Sequence, residues 1–578
     1  MPGDGPFDSV AELPLREQKG PIPLAMYERL LKLSAWIVAI LCCAPMVAAA
    51  VAALSGDLET WRGLADTVLP AYARNTLLLA VLVAAGTGAV GTGAAWLVTM
   101  YRFPGSRVLE VVLVLPLAFP AYVLAYAYTD LLSHHGPVQE ALRGLTGWGP
   151  RDYWFPNVRS LPGAALMLTC VLYPYVFLLA RAAFAAQSAS AFHVARTLGK
   201  GPWAAFFTVS LPMARPAVVG GVLLAVMETI ADYGTVAHFA VPTFSTGIYQ
   251  AWFSMGDRAA AAQLALCLLG FALLLAALER IQRGQARTYG RGGRPLAFEA
   301  QPLTGRTAAL AFGLCLLPVL VGFVLPVIVL GEMALQAAGG TLTARYAGFV
   351  RNSLLLAGVA AALTVAGAVA LAYFARLRPG RLSRSLVLLS SLGYAVPGGV
   401  IAIGLLVPFA GLDNAIDAWA RQTLGISTGL LFTGSIWLLV MAYMVRFMAA
   451  ALNGFDAGLA TINPSIDAVA RTLGRGPAAV LARVHVPLLR RSILGALLIV
   501  FVDVMKELPA TLIMRPFNFD TLAVQAHRLA SDERLAEASV PSLMIVAIGL
   551  LPVIIVCRQI AGGRLAPRAV PEAQAGLS

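Results

Sequence analysis

Apolar runs of about 20 residues recur along the whole chain, and they constrain its fold more than any other feature. Each run is long enough to cross a hydrocarbon core about 30 Å thick as one helix. Because the runs are continuously apolar and do not alternate, they predict helices rather than the strands of a barrel. The sequence therefore predicts an all-α membrane protein with about 12 transmembrane helices. The predicted spans are residues 34–54, 75–98, 108–131, 161–182, 214–235, 259–280, 308–331, 352–375, 385–409, 426–450, 491–514 and 536–557.

Charge is scarce and unevenly placed. Hydrophobic residues make up 59% of the chain and charged residues only 12%, about half of what a soluble protein carries. The net charge of +13 is explained by Lys and Arg in loops on the cytoplasmic side, so no nucleic-acid partner is predicted. The same rule places the polar N-terminal segment 1–33 and the tail 558–578 in the cytoplasm.

One polar, basic stretch occurs twice. Residues 193–212 read HVARTLGKGPWAAFFTVSLP and residues 468–487 read AVARTLGRGPAAVLARVHVP, with eleven of the twenty positions identical. Each copy predicts a short helix, a Gly-Pro turn and a proline at the start of the next span. A basic loop that only anchors topology would not need the same glycines and prolines at the same spacing. Duplicate surfaces instead indicate a partner that is also present twice.

Other matches at nearly the same offset divide the chain into two homologous six-helix halves. Arg74-Asn75-Thr76 recurs as Arg351-Asn352-Ser353, and Pro120 has a counterpart in Pro397. We expect a first domain over 34–280 with a repeated segment at about 190–212, and a cytoplasmic linker over 281–307. The second domain is expected over 308–557, with its repeated segment at about 465–487.

Four acidic residues follow the repeated segments at matching positions. Glu228 matches Asp503 and Asp232 matches Glu507, so each half places two acids four residues apart on one helix face. Acids inside a span are costly unless they face water or a partner, so these four are candidates for the translocation path. Four convergent carboxylates would favour a hard cation. A structural or gating role, or pairing with Lys506, remains open, and no metal ligands are assigned.

The spacing of Gly199, Val209, Leu211 and Pro212 resembles the cytoplasmic "EAA" motif of binding-protein-dependent, type I ABC importer permeases, and the second copy repeats it. The resemblance implies that each segment docks as a coupling helix on an ATPase subunit. His193 and Ala468 stand where that family usually has Glu, so a Glu-mediated contact is not carried over. The coupling residues expected from the resemblance are Ala195, Arg196, Gly199, Gly201 and Pro212, and Ala470, Arg471, Gly474, Gly476 and Pro487.

The sequence contains no phosphate-binding loop motif and no soluble stretch large enough for a nucleotide-binding domain. The chain is therefore predicted to be a transport subunit and not an enzyme. ATP and Mg are expected to be used by the separate ATPase, with no cofactor bound by this chain.

A more specific resemblance concerns the cargo. Residues 228–265 and 506–539 are similar to the fused permeases of ferric-iron importers, and the likeness extends over both halves. It implies a periplasmic ferric-binding protein, a homodimeric ATPase and a bacterial inner-membrane location. Similar fused permeases are associated with thiamine and with organophosphonates, so these cargoes stay open. An ion-coupled secondary transporter and a non-transporting scaffold are the alternatives from other classes.

Overall fold

The computed structural model describes residues 24–187, 199, 201–289, 300–341, 344–463, 465–473 and 476–562. The described helices of the first half are α1 (Leu24–Leu54), α2 (Leu58–Asp66), α3 (Leu69–Met100), α4 (Ser106–Val112), α5 (Ala121–Leu132), α6 (Pro137–Thr146), α7 (Leu161–Ala186), α8 (Pro202–Ala205), α9 (Leu211–Ala231), α10 (Gly234–His238), α11 (Phe244–Tyr249) and α12 (Arg258–Tyr289). Those of the second half are α13 (Gly305–Val319), α14 (Leu325–Thr341), α15 (Ala344–Leu377), α16 (Arg381–Ser390), α17 (Gly398–Leu424), α18 (Ile436–Leu459), α19 (Ser465–Thr472), α20 (Pro477–Val480), α21 (Val486–Met505), α22 (Pro509–Met514), α23 (Leu522–Ser531) and α24 (Leu535–Gly562).

Each predicted transmembrane segment has a corresponding helix or pair of helices in the structure, although several bounds differ. Ten helices in the described ranges are long and apolar enough to cross a membrane, and a bent helix pair supplies an eleventh if it counts as one span. Helix α21 accounts for the remaining predicted segment. Its 20 residues extend about 30 Å, but it carries Arg490, Arg491 and Asp503. The prediction of an all-α membrane protein with about 12 transmembrane helices is confirmed.

The third predicted span of each half, 108–131 or 385–409, is interrupted by a proline. A 3₁₀ turn leads to Pro120 before α5 and to Pro397 before α17, and in the first half the chain bends by 91° there. Proline has no N–H to continue the helix and forces the preceding residue into an extended conformation. The matching prolines seen in the sequence therefore mark matching breaks in the structure.

The fifth and eleventh spans are shorter than predicted. The sequence predicts 214–235 and 491–514, whereas α9 ends at Ala231 and α21 ends at Met505. Each helix stops where its acidic pair lies, and a short separate helix follows. The acids therefore sit at helix breaks rather than inside continuous spans.

Several helices extend beyond the predicted boundaries, α17 by the most, because it continues to Leu424 instead of 409. Helix α1 begins at Leu24 instead of 34, α12 continues to Tyr289, and α24 continues to Gly562. Part of the predicted linker also forms a strand, β2 (Gln301–Pro302), which pairs in parallel with β1 (Tyr101–Arg102). The linker is thereby attached to the first half.

The first helix of each half packs against the other half. Helix α1 lies against α17 so closely that a Cβ on Gly404 would overlap the backbone of Pro45. Gly322 lies between α13 and α14, in the first span of the second half. A Cβ on Gly322 would lie 2.7 Å from the carbonyl oxygen of Cys170 in α7 of the first half. The two halves are thus interlocked, and they share one hydrophobic core.

Alternation of the spans gives the molecule two ends. We call the end with residues 101–105, 201–205, 460–463, 465–473 and 476–477 the motif face, because the described parts of the repeated segments lie there. We call the end with residues 133–160, 232–257 and 515–535 the far face.

Candidate functional site

The four predicted acids are brought together at the centre of the molecule, where α9 and α21 end. All four line one cavity of about 90 Å³ between the two halves. The other residues around it include Tyr122, Tyr175 and two cations, Arg446 and Lys506.

Two of the acids cap the short helices that follow them. The Asp232 carboxylate accepts hydrogen bonds from the backbone N–H and hydroxyl of Thr235, both at 3.0 Å. The Glu507 carboxylate accepts hydrogen bonds from the N–H groups of Ala510 and Thr511, at 2.8 and 3.1 Å. A carboxylate is favourable at a helix N-terminus, because it satisfies free N–H groups and complements the helix dipole. Asp232 and Glu507 therefore hold α10 and α22 in place.

The other two acids face cations of the second half. Glu228 Oε2 lies 3.5 Å from Arg446 Nη2, and this contact joins the two halves. Asp503 Oδ1 lies 2.9 Å from Lys506 Nζ one turn along the chain. The sequence had raised pairing with Lys506 as an alternative, but it gave no sign of Arg446. Among the described residues, no group of three or more His, Cys, Asp or Glu side chains is arranged to hold a metal ion.

A second, larger cavity connects this centre with the motif face. Its volume is about 770 Å³, and Tyr175, Asp503 and Lys506 line both cavities. Glu279 and Asp456, near the motif-face ends of α12 and α18, line its other end. The larger cavity therefore adjoins the central site on the side of the motif face.

Aromatic residues close the same site toward the far face. The rings of Tyr233 and Tyr249 stack with centroids 3.8 Å apart, and the Tyr249 hydroxyl donates to the carbonyl of Pro509 in the other half. Tyr126 in α5 is hydrogen-bonded to His527 in α23 at 3.3 Å. These contacts join elements of both halves above the acids, so the far side of the path is shut.

Two histidines in this closure are held in the neutral form. Burial lowers the pKa of His527 to about 4. Burial, and secondly the charge of Arg159, lower the pKa of His238 to about 4, and its Nε2 lies 3.0 Å from the Thr129 hydroxyl. Glu533, whose pKa is lowered by its hydrogen bonds with Arg159, faces His238 from the other half.

Acidification is expected to loosen the far-face closure. A histidine whose pKa is near 4 when closed and near 6.5 when hydrated binds more protons in the open form between these pH values. Lowering the pH from 7.5 to 5 should therefore shift the equilibrium toward opening by roughly tenfold or more for each histidine.

The shift can be measured as a distance between spin labels at the exposed positions 154 and 517 of a variant lacking the six native cysteines. We expect a longer distance at pH 5, and no change when His238→Gln and His527→Gln are combined. An equal response in that double variant would show that other groups titrate.

The Asn and the Thr or Ser of the repeated Arg-Asn-[Thr or Ser] sequence have a structural role at the far face. The side-chain amide of Asn75 donates to the backbone carbonyl of Pro242 at 2.9 Å, and that of Asn352 donates to the backbone carbonyl of Asp520 at 3.2 Å. The next hydroxyl, of Thr76 or Ser353, accepts the N–H that begins α11 or α23. In each half these bonds attach the far-face loop to the first part of the second long helix, α3 or α15. The sequence had shown only that these residues are repeated.

The described parts of the two repeated segments have similar backbones. Gly199 has φ of +81°, the left-handed conformation expected after a helix end. A π turn precedes Pro212 at 206–210, and another precedes Pro487 at 481–485. In both copies the proline is the second residue of the long helix that follows.

The remaining predicted coupling residues are placed as follows. Ala470 is buried in α19, Arg471 belongs to the same helix, Gly476 precedes α20 and Gly201 precedes α8. Ala195, Arg196 and Gly474 lie outside the described residues.

Helix α19 is anchored by a buried ionic group. Arg376 Nε donates to Asp467 Oδ2 at 2.7 Å, and its two Nη atoms donate to the carbonyls of Leu459 and Ile462 at 2.9 and 3.1 Å. His485 Nε2 lies 2.9 Å from the other oxygen of Asp467. One arginine therefore fixes both the end of α18 and the second repeated segment.

These features define a membrane permease with two fused copies of one domain, a charged path between them and a duplicated segment at one face. The family model described as "Binding-protein-dependent transport system inner membrane component" matches residues 88–289 and again 364–570. The chain belongs to this family. It is a multi-pass permease subunit of an ABC importer and not an enzyme, and the family implies a separate ATPase and a periplasmic binding protein as partners.

Three relatives show which permeases the chain is similar to. The chain is 27% identical to the Fe(3+)-transport system permease protein FbpB 2 of Haemophilus influenzae, over 83% of this chain and 88% of that protein. It is 21% identical to the ferric transport system permease protein FbpB of Actinobacillus pleuropneumoniae, over 75% of this chain and 63% of that protein. It is 30% identical to the molybdenum transport system permease protein ModB of Escherichia coli, over 32% of this chain and 79% of that protein.

Proposed function

We propose that this permease imports ferric iron, delivered by a periplasmic ferric-binding protein and driven by a homodimeric ATPase. The observation that carries the proposal is the similarity to a Fe(3+)-transport permease over 83% of the chain, which includes both halves. The central cavity supports a cationic cargo, because four carboxylates and only two basic side chains line it. ATP and Mg are used by the ATPase, and this chain binds no cofactor of its own.

In this proposal the motif face is cytoplasmic and the far face is periplasmic, with both termini in the cytoplasm. The excess of Lys and Arg in the predicted cytoplasmic segments supports this orientation. The repeated segments then meet the two ATPase subunits, one segment each. The external loops around 148–159, 242–258 and 515–534 are where the binding protein docks.

The arrangement of the cavities supports an inward-facing resting state. The central site adjoins the larger cavity on the side of the motif face and is closed at the far face by aromatic contacts. ATP binding would move the repeated segments, close the larger cavity and open the far face. Cargo would then enter from the binding protein and leave toward the cytoplasm after hydrolysis.

The test is uptake of radiolabelled ferric iron by proteoliposomes that contain this chain, its ATPase and its binding protein. We expect accumulation that requires ATP and is unaffected by thiamine, an organophosphonate or molybdate. Uptake without ATP would favour a secondary transporter. Inhibition by one competitor, with ATP hydrolysis stimulated by the binding protein loaded with it, would assign that cargo instead.

Removing the charge of the two acids that cap no helix, Glu228 and Asp503, is expected to slow transport. The combination of Glu228→Gln and Asp503→Asn leaves Arg446 and Lys506 uncompensated in the path, so a cation should meet an electrostatic barrier. We expect iron uptake to fall by roughly tenfold or more, while the chain still co-purifies with the ATPase. Unchanged uptake would exclude these acids from the cation path.

A further inference from the structure

The charges around the central cavity are not symmetric. Each half contributes one pair of acids, but both cations, Arg446 and Lys506, come from the second half. Subtracting the repeat offset of 275 gives positions 171 and 231, which are Val171 and Ala231. These two residues line the same cavity, so the first half places apolar side chains where the second half places cations.

The two cations are directed to the two acids that have no capping role. Asp232 and Glu507 are engaged by the helices that they cap. Glu228 and Asp503 instead have Arg446 and Lys506 as their partners. Each acid that is free to interact with a cargo therefore already has a tethered monovalent cation.

Arg446 is held loosely for a buried arginine. Its side chain is only 9% exposed, its contact with Glu228 is 3.5 Å long, and its Nη1 has no hydrogen-bond partner. Buried arginines normally satisfy their donors, and an unsatisfied donor is costly. A Cβ on Gly398 would lie 2.6 Å from Glu507 Oε1 and 3.2 Å from Arg446 Nη1, so glycine is needed to leave room for both. The structure thus keeps the charge of Arg446 in the path without fixing it by a full set of bonds.

We propose that Arg446 and Lys506 are specificity-determining residues, acting as resident counter-cations that a permeating ion must displace. This inference rests on the proposed import of a trivalent cation. A sodium or potassium ion carries the same charge as the side-chain cation. Because the side chain is covalently attached beside the acid, its effective concentration there is high, and the free ion cannot displace it. A trivalent ion has three times the charge and can attract Glu228 and Asp503 together. The empty path is therefore closed to abundant monovalent ions and accessible to a multivalent one.

The test measures binding of Tb³⁺, a trivalent ion that prefers oxygen ligands, to the full chain assembled with its ATPase. Tyr122 and Tyr175 line the cavity, so they can sensitise the luminescence of bound Tb³⁺. For the wild type we expect Tb³⁺ binding that is the same in sodium chloride as in choline chloride of equal ionic strength. For Arg446→Gln we expect binding roughly tenfold tighter in choline, because Glu228 is uncompensated, and weakening in sodium.

Two further variants locate the effect. Adding Glu228→Gln to Arg446→Gln should remove both the tighter binding and the sodium sensitivity. Arg351→Gln, which removes the same charge from an exposed position outside the cavity, should behave as the wild type. If Arg446→Gln does not assemble, Lys506→Gln provides the same comparison at Asp503.

Wild-type affinity and sodium insensitivity in both Arg446→Gln and Lys506→Gln would overturn the proposal. The result is also separable from the identity of the cargo. If the wild type shows no ATP-dependent iron uptake but Arg446→Gln gains sodium-sensitive Tb³⁺ binding, the proposed cargo fails and the counter-cations remain.

Discussion

Replacing Arg376 with alanine is expected to abolish ATP-driven transport. All three nitrogen atoms of its guanidinium hold the segment from the end of α18 into α19, through Asp467 and two backbone carbonyls. Asp467 would lose its cation while remaining largely buried, and loss of one partner of a buried ion pair costs about 3–5 kcal/mol. In the proposed mechanism this segment receives the movement of the ATPase, so a loose segment transmits little of it.

The expected result is a loss of the ATP hydrolysis that the loaded binding protein stimulates, together with a loss of uptake. Arg381→Ala is the matched control, since Arg381 is an exposed arginine on the same face at the start of α16. Arg376→Lys should restore activity only in part, because an ammonium group cannot occupy the three positions of a planar guanidinium. Full stimulation of hydrolysis in a stable Arg376→Ala complex would contradict the anchoring role.

The first half anchors its repeated segment differently, and this limits what the repeat could predict. At the offset of 275, the positions of Arg376 and His485 correspond to Tyr101 and Ser210. Trp96 and Phe206 pack with ring centroids 4.7 Å apart in that region, so aromatic contacts are present where the second half has charges. Sequence identity between the copies therefore located the segments but not the contacts that support them.

The acidic residues illustrate the same limit. Their spacing and duplication made Glu228, Asp232, Asp503 and Glu507 candidates for one translocation path, and the structure places all four around one cavity. Their separate roles depend on the helix breaks after Ala231 and Met505, which hydrophobicity alone did not reveal because the short helices that follow, α10 and α22, are also largely apolar. Arg446 could not be found from the repeat, since its counterpart is a valine.

The packing of each half's first helix against the other half also could not be predicted from the sequence. An apolar helix such as α1 makes all its backbone hydrogen bonds internally wherever it lies in the membrane. Its composition therefore does not determine which helix it packs against. Close approach is instead permitted by single glycines such as Gly404 and Gly322. The family match begins at residue 88 and resumes at 364, and therefore leaves out α1, α13 and α14. The first helices, which pack against the opposite halves, thus lie outside the family match, whereas their partners α7 and α17 lie inside it.

A methyl group on Gly404 is expected to separate the halves. The Cβ of Gly404→Ala would overlap the Pro45 backbone, which cannot move aside as a flexible side chain could. Overpacking of this kind costs about 1–3 kcal/mol, and more when backbones are in contact. Gly411 lies on the same helix with no atom within 4 Å of its Cβ position, so Gly411→Ala is the matched control. That change should be neutral or slightly stabilising, because alanine is favoured over glycine in a helix by about 1 kcal/mol.

The measurement is thermal unfolding of the detergent-solubilised chain, together with proteolysis at the loop after α1. Gly404→Ala should lower the unfolding temperature and make the α1 loop cleavable, because α1 is no longer held against α17. The interlocking also explains why one covalent chain suits this architecture, since each half completes its packing only when the other is folded. Equal unfolding temperatures for Gly404→Ala and Gly411→Ala would show that the α1–α17 contact does not hold the halves together.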